Sequence, residues 1–260
     1  MTWGHIERGE GRPLVLVHGI GCSWQSWTPV LDRLASKRRV IAFDLPGFGA
    51  TPALQDGDGA PTPMRFAELL PAEVAALGIG EYDYAGFSMG GWIGLELAKA
   101  GTARSVVAIN PTGLWTRCPA WTRWVLDRAH RAAVDPPSPA LDGWLDHPAG
   151  RTVLMSAYYS RPWRLSPEFS RDSTAVLASS TDFDRTLQGL AEHRFEGGRD
   201  IAIPLTVAFG TRDWIHPPVV ARHREELPDA VVWIDLHGCG HMAQADDPEL
   251  VASVILAGTE

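Results

Sequence analysis

Lysine is nearly missing from this chain: only Lys37 and Lys99 occur, and arginine supplies the rest of the 23 basic residues, against 31 acidic ones. The formal net charge of −8 offers no attractive surface to nucleic acid or an anionic membrane, so neither is expected as a partner. Cysteine is scarce too. Cys22, Cys118 and Cys239 are odd in number and lack metal-ligand spacing, so neither a disulfide framework nor a zinc site is suggested and reduced thiols are expected. No apolar run approaches the ~20 residues that span a bilayer, and the opening "MTWGHIERGE" lacks the basic start and apolar middle of a secretory signal. A cytoplasmic location is the expectation. Repeats and low-complexity linkers are absent as well.

What is present is an ordinary globular composition, 45% hydrophobic and 21% charged over 260 residues, enough for one large α/β domain carrying an insertion. Short apolar runs alternate with amphipathic ones: "PLVLVHG" (13–19), a helix near 27–35, "RRVIAFD" (38–44), a helix within 65–77, "YDYAGF" (82–87), a helix over 90–100, then "RSVVAIN" (104–110). Runs of four to six apolar residues bounded by turn signals read as buried parallel strands joined by crossover helices. The rhythm resumes with "IPLTVAFG" (203–210), a helix over 218–227, "AVVWIDL" (230–236) and a last helix from Pro248.

Between these halves the pattern is helical, in "WTRWVLDRAHRA" and "DRTLQGLAEHRF", with Pro-rich breaks at "DPPSP" and "SRPWRLSPEF". Residues 113–196 therefore read as a helical insertion between two strands of a core formed by 1–112 and 197–260. The insertion holds five of the 11 tryptophans, and its ten arginines balance its ten acids, so the net charge belongs to the core. Tryptophans at helical spacing read first as packing, and second as the apolar wall of a lid over the strand ends.

One stretch carries chemistry. In "AGFSMGG" (85–91) a buried strand meets a helix at Ser88, within Gly86-x-Ser88-x-Gly90. The motif alone is weak, but a serine at a tight strand-to-helix turn is exposed above the sheet with a helix N-terminus beneath it. A serine hydroxyl is a poor nucleophile at neutral pH and needs a base, which in turn needs an orienting carboxylate. His241, in "HGCGHMAQADDPE" after the last strand, suits the base, with His237 as its rival. Asp213, three residues past Gly210 at a strand end, suits the acid, with Asp235 as its rival; Asn110, at the other strand end available, carries no charge. His18 reads as a loop-structuring residue, His216 as a surface or loop residue, and Asp44 as the holder of the "DLPGFG" turn. Cys22 and Cys239 fall in loops near the site and read as unlikely nucleophiles.

The order Ser88, Asp213, His241 resembles that of the α/β-hydrolase fold family, whose triad runs nucleophile, acid, histidine. "VHGIGCSWQSW" resembles that family's HG loop, "FDLPGFGAT" its D-x-P-G-x-G turn, "FGTRDWIHP" its acid loop and "GHMAQADDPE" its histidine loop. The resemblance covers 13–113 and 200–257. It implies a mostly parallel central sheet flanked by helices, with residues 113–196 as a helical cap inserted after the sixth strand. It also implies an oxyanion hole made by the backbone N–H groups of Ile20 and Met89. Neither metal nor cofactor is expected, and the expected partner is a small molecule.

A serine nucleophile points to acyl chemistry, so the expected function is a serine hydrolase of a carboxylic ester or lactone of a small, largely apolar molecule. The alternatives are a carbon–carbon bond hydrolase of ring-cleavage-type ketones, needing a cation such as Arg117, Arg123, Arg161 or Arg164, and a slowly hydrolysing ligand receptor.

Overall fold

The computed structural model describes residues 2–55, 57–134 and 143–260. The "DPPSP" break lies outside the described residues. Seven strands form one sheet: β1 (His5–Arg8), β2 (Pro13–Val17), β3 (Arg39–Phe43), β4 (Asp83–Phe87), β5 (Val106–Ile109), β6 (Leu205–Gly210) and β7 (Val232–Leu236), in the spatial order β1-β3-β2-β4-β5-β6-β7. β1 pairs antiparallel with β3, and every other pairing is parallel. The interior strands are apolar on both faces because helices cover both. Val15 and Val17 pack on one side with Ile41, Phe43 and Tyr84, and Leu14 and Leu16 on the other with Val40, Ala42 and Ala85.

Helices α1 (Thr28–Ala35), α2 (Pro63–Ala76) and α3 (Met89–Ala100) alternate with the early strands, and α8 (Pro248–Gly258) ends the fold. Between β5 and β6 lie α4 (Ala120–Val134), α5 (Pro148–Met155), α6 (Pro167–Ala178) and α7 (Phe183–Glu192). α2, α6 and α8 start alike: a Thr62, Ser166 or Asp247 side chain accepts the N–H three residues on, and a proline occupies the first helical position. That pairing satisfies one otherwise orphaned N–H and pre-sets the first helical φ.

The structure departs from the sequence reading in four places. β1 was not anticipated, because "HIER" is a polar, partly exposed edge strand with no apolar run. The helical insertion follows the fifth strand of this chain rather than a sixth, since among the described residues five strands precede it and two follow. The helix expected over 218–227 shrinks to one turn, Pro218–Ala221, because the His223 N–H bonds to the Leu114 carbonyl at 2.9 Å instead of continuing the helix. α6 begins inside "SRPWRLSPEF", where a Ser-Pro helix start reads as a break. Among the described residues, no helix is long and apolar enough to cross a membrane.

Candidate active site

The parallel strands end together at one edge of the sheet, and the loops leaving β2, β4, β5, β6 and β7 bring His18, Ser88, Asn110, Asp213 and His241 to that edge. Ser88 joins β4 to α3 with φ 55° and ψ −121°, a conformation that costs a non-glycine residue about 1–3 kcal/mol and persists only where its surroundings enforce it. Three backbone bonds do so. Ser88 N–H donates to Ile109 O at 2.9 Å, and Ser88 O accepts from Trp92 N–H and Thr112 N–H at 3.1 Å each. Gly90 makes the turn tight: a Cβ there would collide with the carbonyl oxygen of Val17. Although Ser88 occupies the N-cap position of α3, its hydroxyl caps nothing, unlike that of Ser166. Among the described residues the Ser88 hydroxyl makes no hydrogen bond, so it is not committed to a structural partner.

Asp213 and His241 are brought together as the sequence suggested. His241 Nδ1 stands 3.0 Å from Asp213 Oδ2, and both residues are buried. An ionised carboxylate only accepts, so Nδ1 carries the hydrogen and Nε2 keeps a free lone pair. Asp213 Oδ1 is held by the N–H groups of Ile215 and His216 at 2.8 and 3.0 Å. Burial alone would raise the Asp213 carboxyl, but His241 and His216 beside it carry it well below the ordinary carboxylate range. It is therefore ionised throughout the range in which a histidine titrates. The rival His237 lies outside this cluster, and the rival Asp235 sits on β7 with an exposed side chain.

Asn110, passed over for lack of charge, links the site together. Fully buried with φ 44°, it donates through Nδ2 to Gly240 O (3.1 Å) and His241 O (2.8 Å) and accepts from Gly210 N–H at 2.7 Å. One side chain thus ties the ends of β5 and β6 to the histidine loop. Asp246 does similar work from the other side, accepting from Gly240 N–H at 2.7 Å and from the N–H groups of Ser160 and Arg161 at 2.9–3.1 Å. Only a position just past a strand hints at Asn110, and nothing in the sequence points to Asp246.

The loop after β2 approaches Ser88 closely, since a Cβ on Gly19 would stand 2.9 Å from the serine Cβ. It is shaped by His18, whose Nε2 accepts from Leu45 N–H at 3.0 Å while Nδ1 donates to Gly19 O at 2.7 Å. Burial pushes the His18 ring below the usual histidine range, which suits this neutral, two-sided role. Asp44 braces the neighbouring turn, accepting from Trp24 N–H at 2.7 Å and Ala50 N–H at 2.9 Å. The N–H groups of Ile20 and Met89 have no protein acceptor among the described residues, and that of Met89 belongs to the first turn of α3, where N–H groups lack intrahelical partners.

His216, read as a surface or loop residue, lies in a loop but not at the surface: it is wholly buried, with Nδ1 3.5 Å from Asp213 Oδ2. Asp213, His216 and His241 could in principle ligate a metal ion, but their ligating atoms already face one another as an acid and two imidazoles. The thiols of Cys22 and Cys239 are both pushed up to about 12 by burial, which removes the thiolate needed for a nucleophile.

Next to the site, reached through Ile20 and Met242 and not lined by Ser88, Asp213 or His241, lies an apolar cavity of about 160 Å³ walled by Leu126 and Ala129 of α4, Met155 of α5, Leu177 of α6 and Phe183 of α7. A second chamber, about 410 Å³, shares Cys22, Tyr159 and Met242 with it and is lined by Ser23, Gln25, Glu168 and Asp172. Among the described residues, no lysine or arginine lines either chamber. Arg117 and Arg123 line an outer cleft between α4 and α7, Arg164 is exposed, and Arg161 lies beside Gly238.

Comparison with known proteins agrees with this architecture. The dihydrolipoyllysine-residue acetyltransferase component of the acetoin cleaving system of Pseudomonas putida is 31% identical over 99% of this chain, which spans 66% of that protein's length. The (E)-2-((N-methylformamido)methylene)succinate hydrolase of Acinetobacter baylyi is 30% identical over 100% of this chain and 94% of its own. A thermophilic esterase from Thermogutta terrifontis superposes with a TM-score of 0.76 at 20% identity, over 98% of this chain and 92% of the esterase. The sequence profile of one family matches residues 14–254, and by that match the chain belongs to the alpha/beta hydrolase family.

Proposed function

We propose that the protein is a serine hydrolase that cleaves a carboxylic ester or lactone with a short, apolar acyl part, through an acyl-enzyme intermediate. The observation that carries this reading is the Asp213–His241 bond at 3.0 Å at the same sheet edge as a positive-φ serine whose hydroxyl has no hydrogen-bond partner among the described residues. His241 Nε2 takes the Ser88 proton as Oγ attacks the carbonyl carbon. The carbonyl oxygen becomes negative and is held by the N–H groups of Ile20 and Met89, a fixed pair of donors of the kind worth about 3–4 kcal/mol per donor in the transition state. His241 then protonates the departing alcohol, and a water activated by the same nitrogen releases the acid. Asp213 keeps the imidazole oriented and stabilises its charged form throughout.

The chambers argue for the substrate class. The apolar chamber, about 160 Å³ and lined by aliphatic and aromatic side chains, suits a short apolar acyl group. The larger chamber, with its hydroxyl, amide and carboxylate groups, suits the alcohol side. A ketone acid of the ring-cleavage type would place its carboxylate where no described cation lines the cavity, which favours the neutral ester. A panel of p-nitrophenyl esters of increasing acyl length tests the reading, run beside Ser88→Ala with fluorophosphonate labelling. The expected outcome is an optimum between four and six carbons, and a loss of at least about 10⁴-fold in kcat together with all labelling in Ser88→Ala. Wild-type protein that neither labels nor turns over any ester overturns it.

A further inference from the structure

His216 is an expensive residue to bury where it is. Its ring is wholly enclosed, and among the described residues Nε2 has no partner and Nδ1 only the loose 3.5 Å approach to Asp213 Oδ2, whereas a leucine or phenylalanine would fill the same space without polar atoms to satisfy. Packing alone therefore gives no reason for a histidine. The ring's position does. It meets the His241 ring edge to face, with centroids 4.7 Å apart and planes at 76°, and its other side rests against Trp115 at 6.0 Å. Its Nδ1 stands 3.5 Å from Asp213 Oδ2, the oxygen that also receives His241, while its backbone N–H holds Oδ1. Contacts of this length and loose geometry are common in unliganded sites and tighten in working complexes.

We propose that His216 is a positioning residue: it offers Nδ1–H to Asp213 Oδ2, shares that carboxylate with His241, and thereby sets the pH at which His241 becomes available as a base. The inference rests on the reading of Ser88, Asp213 and His241 as a catalytic triad. The charged and titratable groups around the ring are Asp213, His241 and Arg222, whose Nε donates to the His216 carbonyl at 3.1 Å. Burial lowers the proton affinity of His216, and His241 and Arg222 lower it further against the pull of Asp213. The ring is accordingly the neutral partner, a donor of one hydrogen and not a second imidazolium. Because it neutralises part of the charge on Oδ2, less of that charge is left to stabilise protonated His241. His241 then gives up its proton at a lower pH than it would beside Asp213 alone.

Two substitutions separate this role from simple space filling. His216→Phe keeps an aromatic ring and removes the donor. His216→Asn places an amide nitrogen where Nδ1 was. The pH dependence of kcat/KM on p-nitrophenyl butyrate and of the fluorophosphonate labelling rate at Ser88 is measured for both. In His216→Phe the acid limb of both profiles moves to higher pH by about half a unit to one unit, with KM at the plateau within about twofold of wild type. In His216→Asn the limb returns to the wild-type position. A folded His216→Phe protein with an unmoved limb overturns the proposal, as does an equal shift in His216→Asn. If His216→Phe does not fold, His216→Gln replaces it: its amide falls at the Nε2 position and leaves Oδ2 without the donor, so the upward shift is expected there, and an unmoved limb in Gln is fatal. Failure of the triad reading looks different, since Ser88→Ala would then keep labelling or turnover whatever His216 does.

Discussion

The floor of the site and its roof are built on different principles. Below, Ser88 is fixed by three backbone hydrogen bonds, Asn110 by three more through its side chain, and Gly90 by direct contact with the β2 backbone. Above, α4 to α7 enclose the cavity with side chains, and the roof exposes much of itself: Trp121 and Trp124 stack on one another with centroids 5.3 Å apart, yet are 49% and 55% exposed. Backbone contacts have no rotamer to relax into, whereas a side-chain wall re-forms around a new shape. The difference teaches that reaction and selectivity are separable here: changes below should abolish the chemistry, and changes above should re-tune what enters.

The sharpest way to break that comparison is to place one methyl group in each region. Gly90→Ala drives a Cβ into Val17 O, where neither strand nor helix can shift without disturbing the sheet. A loss of about 4 kcal/mol or more is expected, which for a chain of this size lowers Tm by about 10 °C or prevents folding. Gly143, in the inserted segment, has no atom of the described residues within 4 Å of where a Cβ would sit, so Gly143→Ala should change stability by no more than about 0.5 kcal/mol. Thermal melts of the two proteins side by side decide it. Equal Tm values would show the floor to be as compliant as the roof.

Next in size is Asn110→Ala. It removes the bonds to Gly240 O, His241 O and Gly210 N–H at once, freeing the histidine loop while leaving the side chains of Ser88, Asp213 and His241 unsubstituted. A fall of about 10- to 100-fold in kcat is expected with KM nearly unchanged, since a base displaced by an ångström serves the transition state poorly and the ground state hardly notices. Steady-state kinetics check this. A KM effect with kcat preserved would assign Asn110 to substrate binding instead.

These particulars also mark what the sequence could and could not reveal. The α/β order was legible because buried strands and amphipathic helices have different periods, and Ser88, Asp213 and His241 because each follows an apolar run that ends in small residues. Asn110, His216 and Asp246 were not legible. Their work is to join loops 86 to 131 positions apart, or neighbours whose contact depends on how a loop closes, and an asparagine, a histidine or an aspartate in a polar loop looks the same whether it is solvated or fully paired. His216 was passed over as a base because it precedes the last strand and read as a surface or loop residue; it is a loop residue, but one the chain packs against Trp115 and His241. The walls of the cavity were illegible for a related reason. Of the five tryptophans in the insertion, four are about half exposed and line neither chamber while Trp115 packs in the core, and Met155 and Leu177 lie on helices with no outstanding pattern.

The smallest expected effect belongs to the roof. Leu177 reaches down from α6 to Gly21, where it leaves no space for a Cβ, and so sets the depth of the apolar chamber above the loop that carries Ile20. Leu177→Ala removes three carbons from that wall and should lengthen the preferred acyl chain by about two to three carbons, at about 30 Å³ each. Because Leu177 is only half-buried, the stability cost should stay near 1–2 kcal/mol, below that of a fully enclosed leucine. The rate on an acetyl ester should stay within about threefold, since a two-carbon acyl group engages the oxyanion donors without reaching Leu177. A p-nitrophenyl ester series run on both proteins would register this as a displaced optimum with an unchanged short-chain rate. A uniform loss across all chain lengths would mean that α6 also positions the floor, and that reaction and selectivity are coupled after all.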